Sequence, residues 1–504
     1  SSLYAASEMK AIFASGDVPV SLNPESIRNY FTYQFSIAPN TPFSGVLELP
    51  PGHYMTLSAG GSPQLRQYWD LEFPRDQEYE TDDEKYWTQS FLDGLESAAA
   101  SHTIGDVPIG AYLSGGIDSA TTTWLMTQVY EQPVHAFSIR FNNTELDESP
   151  IFRSIADHLD VIHSELELDD DQPDSWLPDL QACVYHLEQP QRMAVDIPHF
   201  LLSGLVQSCN YKVVYTGDGA DEILGGYDCF RQDYMRLWGN EIVDPIARRN
   251  KYEQEYMQWF AREQVEMLWS LHAPAMQKRV IDKFHFYPVW YDFWNITADM
   301  LPGLFSDDFE HATRTPTQLE TMLATLEPHV EGRHRINQSL YFETKTRLPG
   351  WILWKSDRLS MAHGVEARVP FMDHPLVELA ARIPPDLKLN GMDEKYILKK
   401  VAAPHLPAHP QQFKKRAFYT PIREWFFTPR RIEELSTYFS QEALERTGIF
   451  NPATVERYRR QILSATAPTN SSEYYRVMKL EWVLMLVLTT QLLDEQFVRA
   501  NWVN

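Results

Sequence analysis

"VPIGAYLSGGIDSATTTWLMTQVY", residues 107–130, falls into three parts of different physical character. Residues 107–113 form an apolar run of strand length. Residues 114–119 place two glycines among serines, and glycine lets a backbone approach a ligand closely. From Ala120 the pattern is helix-like. A strand that passes into a helix through such a loop offers backbone N–H groups and the positive end of the helix dipole to an anion. Ser114, Gly115 and Gly116 supply the N–H groups, and Ser119 can add a hydroxyl. Asp118 repels a phosphate but can hold a Mg2+ ion that the phosphate shares. This is not a Walker loop, because the chain contains no Gly-Lys dipeptide. The plain alternative is a glycine-rich turn with a helix cap.

The neighbouring sequence repeats the strand–helix alternation. "VHAFSIRF" (134–141), "VIHSELEL" (161–168) and "YKVVYT" (211–216) read as further strands, with helical patterns between them. Trp87, Phe91, Leu95 and Ala98 recur at helical spacing ahead of the first strand. Such alternation predicts a parallel sheet with helices on both faces and a ligand site at the carboxyl ends of the strands. A second glycine-rich stretch follows the fourth strand: "TGDGADEILGGY", residues 216–227. It is not a dinucleotide fingerprint, because Glu222 stands where the third glycine should fall. If both strands share one sheet, Asp118 and Asp221 emerge at the same edge and can share Mg2+. Acids capping the next helix are the plain alternative. From about Arg231 the pattern is mainly helical, without internal repeats or low-complexity tracts.

Two later stretches combine charge with apolar residues. "WKSDRLSMAHGVEARVPFMDHPLVELA" (354–380) mixes Lys355, Asp357, Arg358, Glu366, Arg368 and Asp373 with Met361, Val365, Val369 and Phe371. Buried charges must be paired, so this is either a site or a structural ion-pair network. In "GMDEKYILKK" (391–400), Lys395 opens a helical pattern, and a lysine so held can neutralise charge on a phosphoryl centre. Lys414, Lys415 and Arg416 make a basic island that could close over pyrophosphate.

Bulk properties narrow the function classes. The chain has 504 residues and a net charge of −25, which argues against a general nucleic-acid binder. Three separated cysteines (Cys183, Cys209, Cys229) suggest neither zinc nor a disulfide framework, so a cytoplasmic setting is expected. "WVLMLVLTTQLL" (482–493) is too short to span a membrane and is expected as a buried terminal helix. The first residues do not read as a signal peptide. Residues 1–70, rich in Pro, Gly and Tyr, suggest short strands and turns, and the charged stretch 71–84 reads as a linker.

Together these stretches resemble the glutamine-dependent asparagine synthetases. The family's S-G-G-[LI]-D-S loop is complete at 114–119, and its S-G-E-G-[AS]-D-E loop appears as "TGDGADE" at 216–222. "SMAHGVEARVPFMDH" (360–374) and "EKYILK" (394–399) also match, as does "KKRAF" (414–418) with Arg416-Ala417 where the family usually has Gln-Gly. The resemblance implies an α/β fold: a parallel-sheet, ATP-pyrophosphatase-like synthetase domain over 76–504 with a helical C-terminal part. It implies a partial N-terminal-nucleophile glutaminase domain over 1–75. That domain normally opens with a catalytic cysteine, whereas this chain starts at Ser1, so as given it is not expected to hydrolyse glutamine by the family mechanism.

The resemblance also implies roles. Ser114, Gly115, Gly116, Asp118 and Ser119 would hold pyrophosphate, and Asp118 and Asp221 would bind Mg2+. Leu113, Ile139 and Gly217 would contact the nucleoside of ATP. Lys395 would stabilise the pentavalent phosphorus. Glu366 and Arg368 are candidate substrate-binding residues. Asp218 falls where the family mostly has glutamate, one methylene longer, in a role tied to intermediate formation. The implied reaction converts aspartate to asparagine through an acyl-adenylate, with ammonia derived from glutamine. Ligases for other acids remain alternatives, as does a β-lactam-synthetase-like cyclase, which typically carries tyrosine at position 218. So does a non-catalytic nucleotide binder. The partners implied are small molecules, neither nucleic acid nor membrane, and a homodimer is compatible with the resemblance.

Overall fold

A computed structural model describes residues 2–75, 78–80, 83–142, 147–168, 176–238, 288, 295–314, 318–408, 420–465 and 471–502. The basic island at Lys414, Lys415 and Arg416 lies outside the described residues. The N-terminal region contributes α1 (Met9–Phe13), α2 (Pro24–Tyr33) and an antiparallel ribbon of β1 (His53–Thr56) and β2 (Gln64–Gln67). There follow α3 (Glu84–Ser101), β3 (Ile109–Tyr112), α4 (Ile117–Val129), β4 (His135–Phe141), α5 (Ser149–His158), β5 (Ile162–Leu168), α6 (Trp176–Leu187), α7 (Asp196–Ser208), β6 (Val213–Tyr215) and α8 (Ala220–Leu224). Further along lie α9 (Arg335–Lys345), α10 (Trp354–Met361), β7 (Glu366–Arg368), α11 (Tyr396–Ala402) and the terminal α12 (Ser471–Leu493).

The helices start where their chemistry allows. At the head of α3, Asp83 accepts a hydrogen bond from Lys85 N at 2.9 Å, satisfying a donor that the helix leaves open. The same helix buries Trp87, Phe91, Leu95 and Ala98 along one face, as the spacing predicts. By contrast, α4 is buried on all sides from Ile117 to Met126, because it is clamped between the sheet and its neighbours.

Five parallel strands form the central sheet in the order β5-β4-β3-β6-β7. The chain winds outward from β3 through β4 to β5, then crosses back to place β6 on the other side of β3. Strand order therefore reverses at β3, the kind of position where parallel sheets bind ligands. The register pairs Ile109 with Val213 and Ala111 with Tyr215, so the loops after β3 and β6 leave the sheet side by side. The predicted strands lie in this sheet. The fifth, β7, was not foreseen: it is a three-residue edge strand, Glu-Ala-Arg, defined by pairing with β6 rather than by any apolar alternation.

The stretch read as a linker is partly anchored. Leu71 and Phe73 are buried in the same core as α3, although charged residues surround them in sequence. The terminal α12 is buried as expected from Leu480 to Leu493 apart from Glu481, which is half-buried. No described helix is long and apolar enough to cross a membrane. The N-terminal region docks through polar contacts: Glu188 accepts from Met9 N at 2.9 Å and Lys10 N at 2.6 Å. Arg358 of α10 reaches the Ser7 carbonyl and lies 3.7 Å from Glu8.

Candidate active site

The loop after β3 is tied into a ring by its own serines. Ser119 Oγ accepts from Ser114 N at 3.0 Å and lies 2.9 Å from Ser114 Oγ, while Gly116 N donates to Ser114 Oγ at 3.2 Å. Gly115 N donates to Glu148 Oε2 at 3.0 Å. One of the loop's N–H groups is thus taken up by a carboxylate oxygen of this chain. Leu113 is buried in the sheet core, its N–H donating to the Phe137 carbonyl at 2.9 Å. Ile139 lies on β4, half-buried beside the cluster of Phe137, Leu202 and Val206.

The second loop packs against the first backbone to backbone. A Cβ on Gly217 would sit 2.8 Å from Ser119 N and 2.9 Å from Asp118 Cβ, closer than a side chain permits. This approach brings Asp118 and Asp221 together around one ammonium group. Lys395 Nζ donates to both oxygens of Asp118 at 2.8 Å and to Asp221 Oδ1 at 2.8 Å. Lys395 is 2% exposed and sits at the head of α11 with φ 50° and ψ 37°, a left-handed conformation costly for a residue that carries a Cβ. Backbone strain of this kind persists only where the surroundings impose it. Gly226 closes the other side: a Cβ there would run into the Asp221 carboxylate and lie 2.9 Å from Lys395 Cε.

A buried network behind α8 holds the acidic loop in place. Glu222 accepts from the Tyr227 hydroxyl at 2.5 Å and lies 3.9 Å from Arg347, which is also paired with Glu343. The Arg347 guanidinium stacks 4.6 Å from the Tyr227 ring centre. Burial, with repulsion from Asp221 added, pushes the Glu222 carboxyl up to about 8. Burial also pushes the Tyr227 hydroxyl up.

The sequence-derived residues do not all converge. Ser114, Gly115, Gly116, Asp118, Ser119, Gly217, Asp221 and Lys395 are gathered at the two loops. Asp218 faces another way: its Oδ2 accepts from Thr216 Oγ1 at 2.9 Å and from Ser356 Oγ of α10 at 2.7 Å. Glu366 and Arg368 are not brought into this cluster. Arg368 is spent on the carbonyls of His102 and Ile104, at 2.5 and 2.8 Å, and on Glu366 at 2.8 Å. The charged stretch 354–380 is therefore divided, with Ser356 turned to Asp218, Arg358 to the N-terminal region and Arg368 to the end of α3.

Sequence reasoning passed over Glu148, Gly226, Ser356 and the Glu343–Arg347 pair. Gly226 was within reach, since a double glycine after an acidic turn marks close approach. Glu148 and Ser356 carry no local signal, because their partners Gly115 and Asp218 are distant in sequence, while Glu343 and Arg347 pair four residues apart and only the fold brings them to Glu222.

A parallel sheet whose two central loops converge on one lysine defines the class: an α/β synthetase domain. The asparagine synthase family model matches residues 90–492, and the glutamine amidotransferase domain model matches residues 1–69. The chain belongs to the asparagine synthase family. It is 27% identical over 471 residues to amidase chyE of Penicillium rubens, covering 88% of this chain and 68% of that protein. It is 27% identical over 474 residues to amidase chry2 of Gibberella zeae, with 88% and 68% covered. Against the glutamine-hydrolyzing asparagine synthetase 1 of Bacillus subtilis it is 24% identical over 423 residues, with 84% and 63% covered. Family membership supports ATP-dependent amide formation and leaves the acceptor open.

Proposed function

We propose that this chain makes an amide from a carboxylic acid through an acyl-adenylate, with aspartate as the acceptor and ammonia, supplied from glutamine, as the nitrogen source. The observation that carries this reading is the convergence of Asp118, Asp221 and Lys395 beside an N–H-lined loop. A substrate carboxylate oxygen attacks the α-phosphorus of ATP, and the bond to pyrophosphate breaks. Ammonia then attacks the acyl carbon, the bond to AMP breaks, and the nitrogen loses a proton. The adenylate is required because a free carboxylate lacks a leaving group.

Each residue has a part in this scheme. The loop of Ser114, Gly115, Gly116 and Ser119 holds the leaving pyrophosphate through N–H and hydroxyl donors. Leu113, Ile139 and Gly217 line the nucleoside position. Lys395 stabilises charge developing at phosphorus. Asp118 and Asp221 fit a Mg2+ ion, since both carboxylates already turn toward one cation, and such an ion supplies positive charge to phosphate oxygens. Asp218 orients ammonia or takes its proton, with Ser356 and Thr216 fixing its carboxylate.

The test is AMP and pyrophosphate formation that requires aspartate, ammonium and Mg2+ together. Turnover that needs ATP but ignores aspartate rejects that acceptor. A second reading, amidation of a different acid, is favoured by the two amidase relatives and by Asp218 in place of the usual glutamate. Pyrophosphate release across a panel of acids separates the two readings.

A further inference from the structure

Lys395 is gripped at three points by one stretch of chain, residues 221–231. Asp221 accepts from its ammonium at 2.8 Å, and Gly226 leaves room for its Cε, where an added Cβ would come to 2.9 Å. The third grip acts on the backbone and has no part in the scheme above. The helix Asp228–Trp238 carries Arg231, which is 3% exposed and donates through Nη2 to Glu394, the residue just before Lys395. Glu394 is equally buried and also lies 3.1 Å from Lys399. Through Nη1, Arg231 donates to Asp228 at 2.8 Å.

The conformation of Lys395 needs such an outside hold. A lysine with φ 50° relaxes to the right-handed or extended region unless its neighbours are fixed. On the far side α11 is fixed by Ile397 and Leu398 in the core. On the near side stand β8 (Leu389–Asn390) and β9 (Asp393–Glu394), an antiparallel hairpin of two residue pairs. So short a hairpin does not hold itself. Leu389 anchors its first strand in the core. Glu394 anchors the second strand. Its partner is a guanidinium fork shared between two carboxylates, which sets direction as well as distance.

We infer that Arg231 is a positioning residue for Lys395: by holding Glu394 it fixes the left-handed turn that carries the Lys395 ammonium to Asp118 and Asp221. This rests on the reading of Lys395 as the group that acts at phosphorus. The stretch that delivers Asp221 thereby also delivers the lysine, so the two arrive in register. Arg231 itself touches no reacting atom.

Two variants separate positioning from mere support of the fold. Arg231→Met leaves a buried carboxylate short of a partner and should melt below the wild type. Arg231→Met with Glu394→Gln removes both charges and should recover most of that loss. Turnover should not recover with it. Pyrophosphate release from ATP with aspartate, ammonium and Mg2+ should show kcat about tenfold to a hundredfold down in the double variant, the scale of a misplaced group. KM for ATP should stay within about threefold, because Lys395 meets charge that develops in the transition state. A second readout needs no turnover. Brief acetylation with acetic anhydride, followed by peptide mass spectrometry, should label Lys395 about tenfold faster in the double variant, since a local hold is lost. Lys479 on α12, 6% exposed, reports any general loosening and should stay as slow as in the wild type. Wild-type kcat in the double variant, unchanged protection of Lys395, or equal gains at Lys395 and Lys479 would each overturn the inference. If the wild type releases no pyrophosphate, the proposed function fails, and the labelling alone decides whether Arg231 holds Lys395.

Discussion

Lys395 and Asp196 are buried to nearly the same degree, at 2% and 1% exposure, and their surroundings treat them in opposite ways. Lys395 is surrounded by acceptors at 2.8 Å from two carboxylates, closed by Gly226 and backed by the Glu222–Arg347 network. Asp196 has no hydrogen-bond partner among the described residues and only a nearby lysine charge. The first region is complete as folded, so disturbing it should damage stability and chemistry together. The second is unbalanced as folded, so relieving it should aid stability.

The largest effect should come from Lys395→Met. It leaves two buried carboxylates facing each other, which should cost about 3–5 kcal/mol in urea unfolding. Pyrophosphate release should fall by about a hundredfold to a thousandfold. A stable variant with near-normal turnover would show that the cluster is only a structural ion pair. Gly226→Ala comes next. Its new methyl group displaces the Asp221 carboxylate and should cost about 1–3 kcal/mol, with turnover reduced alongside. Unchanged turnover would mean that Asp221 can be moved without consequence.

Asp196 should reveal itself through pH. Its folded carboxyl titrates at about 7, above the unfolded value of about 3.9. Between those values the folded chain binds more protons than the unfolded one, so stability falls as pH rises through that window. Lys355 on α10 moderates the shift, and His199 on α7 and Cys183 on α6 lie in the same environment. Asp196→Asn should therefore lose less of its melting temperature than the wild type between about pH 5 and about pH 7.5. Glu222 titrates in an overlapping range, so it is the difference between the two proteins that isolates Asp196. Parallel melting curves would refute an ionising, unpartnered Asp196. Ser356→Ala should be the mildest change, about 1 kcal/mol, because Thr216 still donates to Asp218. A collapse of turnover in that variant would place Ser356 in the chemistry itself.

Much of the synthetase sheet was legible in the sequence. Val107 to Leu113 and residues 211–216 are largely apolar runs that end in glycine-rich loops, and burial of β3 and β6 on both faces produces that pattern. The loops were legible for the same reason, since glycine is placed where a backbone must come close. Glu366 and Arg368 show the limit. Their charges among apolar residues suggested a site, but charge does not say which way an edge strand turns its side chains, and Arg368 turned to the end of α3. The linker expectation failed at Leu71 and Phe73 because composition averages over a stretch, whereas anchoring needs only two side chains.

By itself the sequence determined the elements: the strand, the loop, the helix, and the residue types fit for phosphate and cation. Local periodicity and backbone freedom are properties of neighbouring residues, so they can be read in order along the chain. Only the tertiary structure decided which distant groups meet. Strand order puts β6 beside β3, so Asp118 and Asp221 share Lys395, and helix packing turns Asp218 toward Ser356 and leaves Asp196 buried without a donor among the described residues. Those outcomes depend on the pairing of segments up to hundreds of residues apart, which no local pattern encodes.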